Sequence, residues 1–429
     1  MEKLMQYVWQ HRLWPVGDMR TVDGQRIDVI DPGRLNTDAG PDFFNAKIII
    51  GGESWAGNVE IHIRASDWFR HGHQNDRAYD SVILHVVDRD DMVVRRPDGQ
   101  VIPQMRMACN PALASRYGEL VENSVRSLPC AADIGALEPL RRNDWLSALG
   151  YERLYEKADR IAALCSRFSG DWRQTSYAVI ARALGFGLNS EPFERLALAT
   201  PLSVIAKHSD NRLIVEAILF GQSTLLDSAV GCDPYIDALR REYRFMQAKF
   251  GLRPVESPGW KMARMRPANF PQRRIALLAA MLSSGFNLMS RVLDAEDYES
   301  ALALFSDIEL SPYWQTHCNF SDPIPTPLAP LSRSSAATLV INTVAPLQMA
   351  YGIAHGDDSL TERAVEILND LKPEQNSITE LFGRVGLPPR NAFESQALIQ
   401  LRRAYCEQSK CLFCRIGHRR LSFAARRPD

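Results

Sequence analysis

Near residue 130 the apolar pattern changes its period, and that change limits what the chain can build. Before it, Val59, Ile61 and Ile63 alternate with Glu60, His62 and Arg64, the period of two that sets one side of a strand on a core and the other toward a cleft or solvent. After it, Tyr177, Ile180, Ala181, Leu184 and Leu188 repeat at helical spacing, as do Ile275, Leu278, Ala279 and Leu282. A sheet-bearing segment followed by a long helical one is an α+β organisation. The first segment reads as a helix, strands over Ile27 to Ile30 and Phe43 to Ile50, the alternating strand, a connector, and the continuous apolar run Val82 to Val87, which suits a strand buried on both faces. The expected division is a mixed β-sheet domain over 1–130, an all-α domain over 131–400 and a basic, cysteine-rich segment over 401–429. Pro323, Pro325, Pro327 and Pro330 interrupt the helical part with a loop or extended linker.

Composition narrows the class. Of the 429 residues, 45% are hydrophobic and 24% charged, which fits a folded globular chain and not a disordered, collagenous or rod-like one. With 50 Lys and Arg against 51 Asp and Glu the net charge is -1, so any patch for nucleic acid must be local. The N-terminus carries Glu2 and lacks the apolar core of an export signal, and no window reads as a bilayer crossing. A cytoplasmic protein without a membrane partner is expected. In a reducing compartment the eight cysteines are expected as metal ligands or buried thiols.

Asp42 precedes one strand by a single residue, and Glu60 and His62 leave the same face of the next, about 6 to 7 Å apart. Two carboxylates brought together there make an oxygen site for Mg²⁺ or Mn²⁺. Asp42 and Glu60 are the candidate metal ligands, and Asp42, Glu60 and His62 the candidate catalytic residues. The bland alternative is an ordinary solvated strand face. Four of the nine histidines, His62, His71, His73 and His85, fall within one short stretch, and they could instead bind Zn²⁺ with Asp42 or Glu60. His85, inside an apolar run, reads as a hydrogen-bonded core histidine.

Cys406, Cys411, Cys414 and His418 are separated by four, two and three residues. Thiolates at such spacing can converge on one metal. His418 would complete a Cys₃His zinc site; Cys130 would complete four cysteines for zinc or a [4Fe-4S] cluster. Between Arg253 and Arg274, Lys261, Arg264 and Arg266 stand among other cations with Trp260 and Phe270. Cations and aromatic faces could hold single-stranded nucleic acid, while the alternative is a proline-broken loop with hydrated arginines. Arg64, Lys261, Arg264 and Arg266 are the candidate substrate-binding residues.

Pro41-Asp42 followed by Glu60-x-His62, after a helix and among three strands, resembles the PD-(D/E)XK nuclease superfamily, with His62 where that signature has lysine. The resemblance covers about residues 1 to 90 and implies a restriction-endonuclease-like sheet and metal-dependent phosphodiester hydrolysis. Some members of that superfamily carry an iron-sulfur staple with one upstream and three C-terminal cysteines, a layout similar in outline to this one. Over nearly its whole length the chain also resembles a family of uncharacterised bacterial proteins, a Bacteroidetes-type domain of unknown function. The stretches are Gly40-Pro41-Asp42-Phe43, Gly57-Asn58-Val59-Glu60-Ile61-His62, Ser66-Asp67-Trp68, His71-Gly72-His73, Val82 to Val87, Leu219-Phe220-Gly221-Gln222, Ile341-Asn342-Thr343 and Tyr405-Cys406 through Cys414-Arg415-Ile416-Gly417. The leading expectation is a Mg²⁺- or Mn²⁺-dependent nuclease acting on DNA or RNA. The alternative is a non-catalytic nucleic-acid or protein adaptor with a structural metal site.

Overall fold

The structure is a computed structural model. It describes residues 1–14, 19–36, 39–96, 98–122, 128, 130–135, 137–227, 229, 233–256, 258–263, 265–283, 288–306, 308–321, 323–327 and 329–425. The chain is mixed: a six-stranded sheet in its N-terminal part, followed by a largely helical part. Where the sequence suggests three segments, the chain forms two compact units. The first comprises Met1–Arg142, Val385–Leu387 and Leu401–Asp429, and the second Asn143–Arg384 with Pro388–Gln400. The basic C-terminal stretch therefore folds as part of the first unit.

In that first unit, helix α1 (Glu2–Gln10) precedes strands β1 (Ile27–Asp31), β2 (Arg34–Leu35), β3 (Phe43–Ile50) and β4 (Glu53–Arg64). After a short helix α2 (Asp67–Arg70) come β5 (Val82–Arg89) and β6 (Gln104–Arg106). The sheet order is β1-β3-β4-β5-β6, with β2 also paired to β3. β1, β3 and β4 run antiparallel in succession, whereas β5 and then β6 join in parallel. A tight turn suffices for the antiparallel pairs, but the parallel pair needs a crossover, and residues 65–81 supply it. β2 and β6 are too short to show a period in sequence.

One face of the sheet lies under α1. Leu4, Met5 and Val8 of the helix pack with Ile27, Phe43, Ile48, Val59, Ile61, Leu84 and Val86. The alternation of β4 thus has the expected inward set. Its other set differs from a solvated face: Glu60 is 4% exposed and His62 1%, because the crossover covers them, and only Arg64 at the strand end is exposed. Trp68 and Tyr79 of that crossover join Val82, Val87, Val94 and Ile102 in a second small core.

The helical unit is built around stretches buried on nearly every side, among them Trp172–Leu184, Arg212–Gln222 and Pro271–Ser283. Their starts are fixed by side chains that accept from orphan backbone N–H groups, as Asp171 does from Arg173 and Gln174, and Asp233 from Tyr235 and Ile236. Among the described residues one helical stretch, Arg333–His355, has the length and apolar character of a membrane crossing, but 72% of that window is buried inside the protein. It is broken at Thr343 into two helices that line the unit's core.

Candidate metal centre

The clustered groups sit on the covered face of β4 and β5. In the parallel register Glu60 stands beside His85 and His62 beside Val87. Asp42, at the entry to β3, meets Glu60 through a reciprocal clasp. The Asp42 N–H donates to Glu60 Oε2 at 3.0 Å, and the Ile61 N–H donates to Asp42 Oδ2 at 3.0 Å. Gln6 of α1 donates through Nε2 to Asp42 Oδ1 at 2.9 Å. Both Asp42 oxygens and one Glu60 oxygen are therefore committed, and Glu60 Oε1 is left facing the histidines.

The crossover brings those histidines in. Gly72, at φ 79°, takes a left-handed conformation between His71 and His73. His62 Nε2 lies 3.1 Å from His71 Nδ1 and 3.4 Å from Glu60 Oε1. His73 Nε2 is 3.3 Å from the same Glu60 oxygen, yet makes no hydrogen bond. One nitrogen from each of His62, His71 and His73 falls within 4.8 Å of the others. His73 stacks between His62 and Tyr79, with centroids at 5.2 and 3.8 Å. His71 is exposed, so the cluster opens to solvent on that side. Deeper in, His62 Nδ1 and His85 Nε2 share a hydrogen bond of 2.9 Å, and His85 is fully buried.

Burial dominates the electrostatics. Desolvation, and for Asp42 the nearby Glu60, pushes Asp42 up to about 7 and Glu60 up to about 8. Desolvation, followed by the other histidines, lowers His62 to about 2 and His85 to about 3, and burial also lowers His73. The His73–Glu60 separation is that of an ion pair, but burial favours the neutral form of both partners.

The other sequence-designated residues lie elsewhere. Arg64 is exposed, and its N–H donates to Asp67 Oδ2 at 3.1 Å. Lys261 and Arg266 are exposed in the helical unit, and Arg264 lies outside the described residues. The stretch around them is less open than its composition suggests. Trp260 donates to the Ser223 carbonyl and packs on Phe193. Arg273 and Arg274 are buried, with Arg273 spanning the carbonyls of Trp314 and Ala329. His418, a candidate ligand, has its Nδ1 2.7 Å from the Tyr7 hydroxyl. Gln6 and Tyr79 carry no local signal in the sequence, and Trp68 stands out only within the Ser66-Asp67-Trp68 stretch; each reaches the cluster through the fold.

Residues 2–377 match the family described as protein of unknown function (DUF2851). The chain belongs to this family. The DUF2851 match takes in Asp42, Glu60 and the four clustered histidines and ends before the C-terminal cysteines. No curated protein and no solved structure matched the chain.

Proposed function

We propose that the N-terminal unit is a divalent-metal-dependent nuclease, hydrolysing phosphodiester bonds in DNA or RNA, with the ion held by Glu60, His62, His71 and His73. The donor spacing carries this reading. One nitrogen from each of His62, His71 and His73 lies within 4.8 Å of the others, and Glu60 Oε1 stands 3.4 and 3.3 Å from those of His62 and His73, near the roughly 3.3 Å between donors 2.0 to 2.1 Å from one tetrahedral ion. Two donors that face each other at 3.3 Å without a hydrogen bond, as His73 and Glu60 do, are suitably aimed at a shared cation. The imidazole donors suit Zn²⁺, and the Glu60 carboxylate suits Mn²⁺ or Mg²⁺.

When bound, such an ion would polarise a phosphoryl oxygen and lower the pKa of a water. The chain's own residues would do the rest. Asp42 fixes Glu60 through the clasp and acts as a positioning residue. His85 orients the His62 ring through their shared hydrogen bond. Exposed His71 leaves the solvent side for water and substrate. Phosphodiester chemistry in particular is supported by chain order. A helix, antiparallel strands with an acid before one and Glu-x-His on the next, and a crossover to a parallel strand resemble the PD-(D/E)XK arrangement. Exposed Arg64 of the same unit supplies a cation for phosphate, and Lys261 and Arg266 are exposed cations of the helical unit taken by themselves.

Metal-free protein titrated calorimetrically with Zn²⁺, Mn²⁺ and Mg²⁺, then assayed on single-stranded and duplex DNA and RNA, tests the reading. The expected result is Mn²⁺- or Zn²⁺-supported cleavage that Glu60→Gln and His73→Ala abolish with circular dichroism unchanged. Metal binding at these residues without cleavage of any substrate would end the nuclease reading in favour of an adaptor. Undiminished cleavage by Glu60→Gln would remove the site from the reaction.

A further inference from the structure

The helical unit holds a small basic pocket, remote in sequence from the histidines. The helix Pro139–Arg167 carries Arg160 and Arg167 two turns apart on the same face. At its end the Gly170 N–H donates to the Cys165 carbonyl at 3.0 Å, and Ser169 at φ 55° and Gly170 at φ 86° turn the chain. Asp171 then caps the helix Trp172–Leu184, which supplies Val179 and Arg182, and the helix Ser190–Ala199 adds Glu194. Arg160, Arg167, Arg182 and Glu194 line one pocket of about 160 Å³, with Leu164 and Val179 among its apolar walls.

The charges around that space do not balance. Arg182 donates to Glu194 and so has its acid. Among the described residues, Arg160 and Arg167 have no hydrogen-bond or ion-pair partner, and each keeps a face open to solvent. Partial desolvation first, then the like charges of Arg182 and Arg153, lowers the Arg160 pKa, with Glu194 opposing them. Three guanidiniums against one carboxylate leave two positive charges in excess. Guanidinium donors form a planar fork that matches the oxygens of phosphate and carboxylate. A phosphate monoester carries about −1.5 to −2 at pH 7, so it balances the excess where a single carboxylate does not. The pocket is smaller than the roughly 300 to 1,000 Å³ of sites that enclose a drug-sized ligand. It therefore has room for the phosphate group and leaves the rest of the bearer outside.

We propose that Arg160, Arg167 and Arg182 form a receptor for a dianionic phosphate group, carried by a free small molecule or by the end of a nucleic-acid strand. Glu194 holds Arg182 and limits the affinity, because its carboxylate competes with the phosphate for that guanidinium. The site lies wholly within the helical unit and stands whether or not the N-terminal unit cleaves phosphodiesters.

The full chain, freed of metal, is titrated calorimetrically at neutral pH and low salt with inorganic phosphate, acetate, adenosine monophosphate, and a single-stranded oligonucleotide with and without a terminal phosphate. Inorganic phosphate should bind more tightly than acetate. Arg160→Ala and Arg167→Ala should each weaken phosphate binding about tenfold or more, the loss of a charged hydrogen bond. Glu194→Gln should tighten it severalfold by releasing Arg182. Thermal melts of the two arginine variants should match wild type, and the opposite sign of the Glu194 variant separates a phosphate site from a general loss of packing. No phosphate binding, equal affinity in wild type and both arginine variants, or no advantage of phosphate over acetate would overturn the proposal. Adenosine monophosphate binding as tightly as the phosphorylated oligonucleotide assigns the pocket to small phosphates. A preference for the phosphorylated oligonucleotide over both the mononucleotide and the unphosphorylated strand assigns it to strand ends.

Discussion

Asp42 illustrates how one residue's role follows from the bonds it has already made. Its two oxygens accept from Gln6 and the Ile61 N–H, and its own N–H holds Glu60. Asp42→Asn should therefore weaken Zn²⁺ or Mn²⁺ binding about 10- to 100-fold, the usual cost of losing an outer-shell partner, and less than Glu60→Gln does in the same calorimetric titration. An equal loss in the two variants would make Asp42 a ligand instead. In the helical unit, Glu216 is a buried acid held by the Tyr235 hydroxyl at 2.9 Å, and burial raises its pKa above the ordinary 4.5. A folded state that binds the proton more tightly than the unfolded one is most stable at low pH, so this contribution is full below pH 4.5 and fades as pH climbs through the raised value. Tyr235 and Arg212 are the other ionisable groups acting on it. Glu216→Gln should flatten that decline, measured as the urea midpoint against pH; an unchanged slope would assign it to other groups.

At the scale of elements, the helix Pro271–Ser283 shows why a basic stretch cannot be read as a binding surface from composition. The helix is buried all round, and Arg273 spends its guanidinium on two backbone carbonyls at 2.9 Å each. Hydrogen bonds to a charged group are worth about 1.5 to 3 kcal/mol each. Arg273→Ala should then destabilise the helical unit by about 3 kcal/mol or more. Exposed Lys261→Ala and Arg266→Ala should leave stability within about 0.5 kcal/mol and, if these cations meet phosphate, weaken nucleic-acid binding instead. Thermal melts and filter binding on the three variants separate the two behaviours. The strands of the first unit were far more legible. Phe43 to Ile50 is the observed β3, and Val82 to Val87 forms most of β5, because β-branched runs bounded by turn residues have few other options. The crossover was not legible, since its short helix and single turns are held by Trp68 and Tyr79 packing on the sheet and not by local propensity.

The whole molecule returns its last residues to the unit formed by its first. Leu412 and Leu421 lie in the core under α1, and Arg420 bonds to Asp133 at 2.9 Å. Ending the chain at residue 400 should therefore lower or abolish the melting transition of the N-terminal unit while the helical unit's transition persists, as calorimetry would reveal. Loss of both transitions together would contradict the division into two compact units. By itself the sequence determined the α+β class, the strands and the point where period two gives way to helical period, because periodicity is a local consequence of which face each residue buries. It also pointed to Asp42, Glu60 and the histidine cluster by their closeness along the chain. Only the tertiary structure decided that Glu60 and His62 are covered, that Gln6 holds Asp42, and that Cys130 and Cys411, far apart in sequence, pack on one core. Those facts depend on which surfaces pack together, and residues far apart in sequence leave no periodic trace of meeting in space.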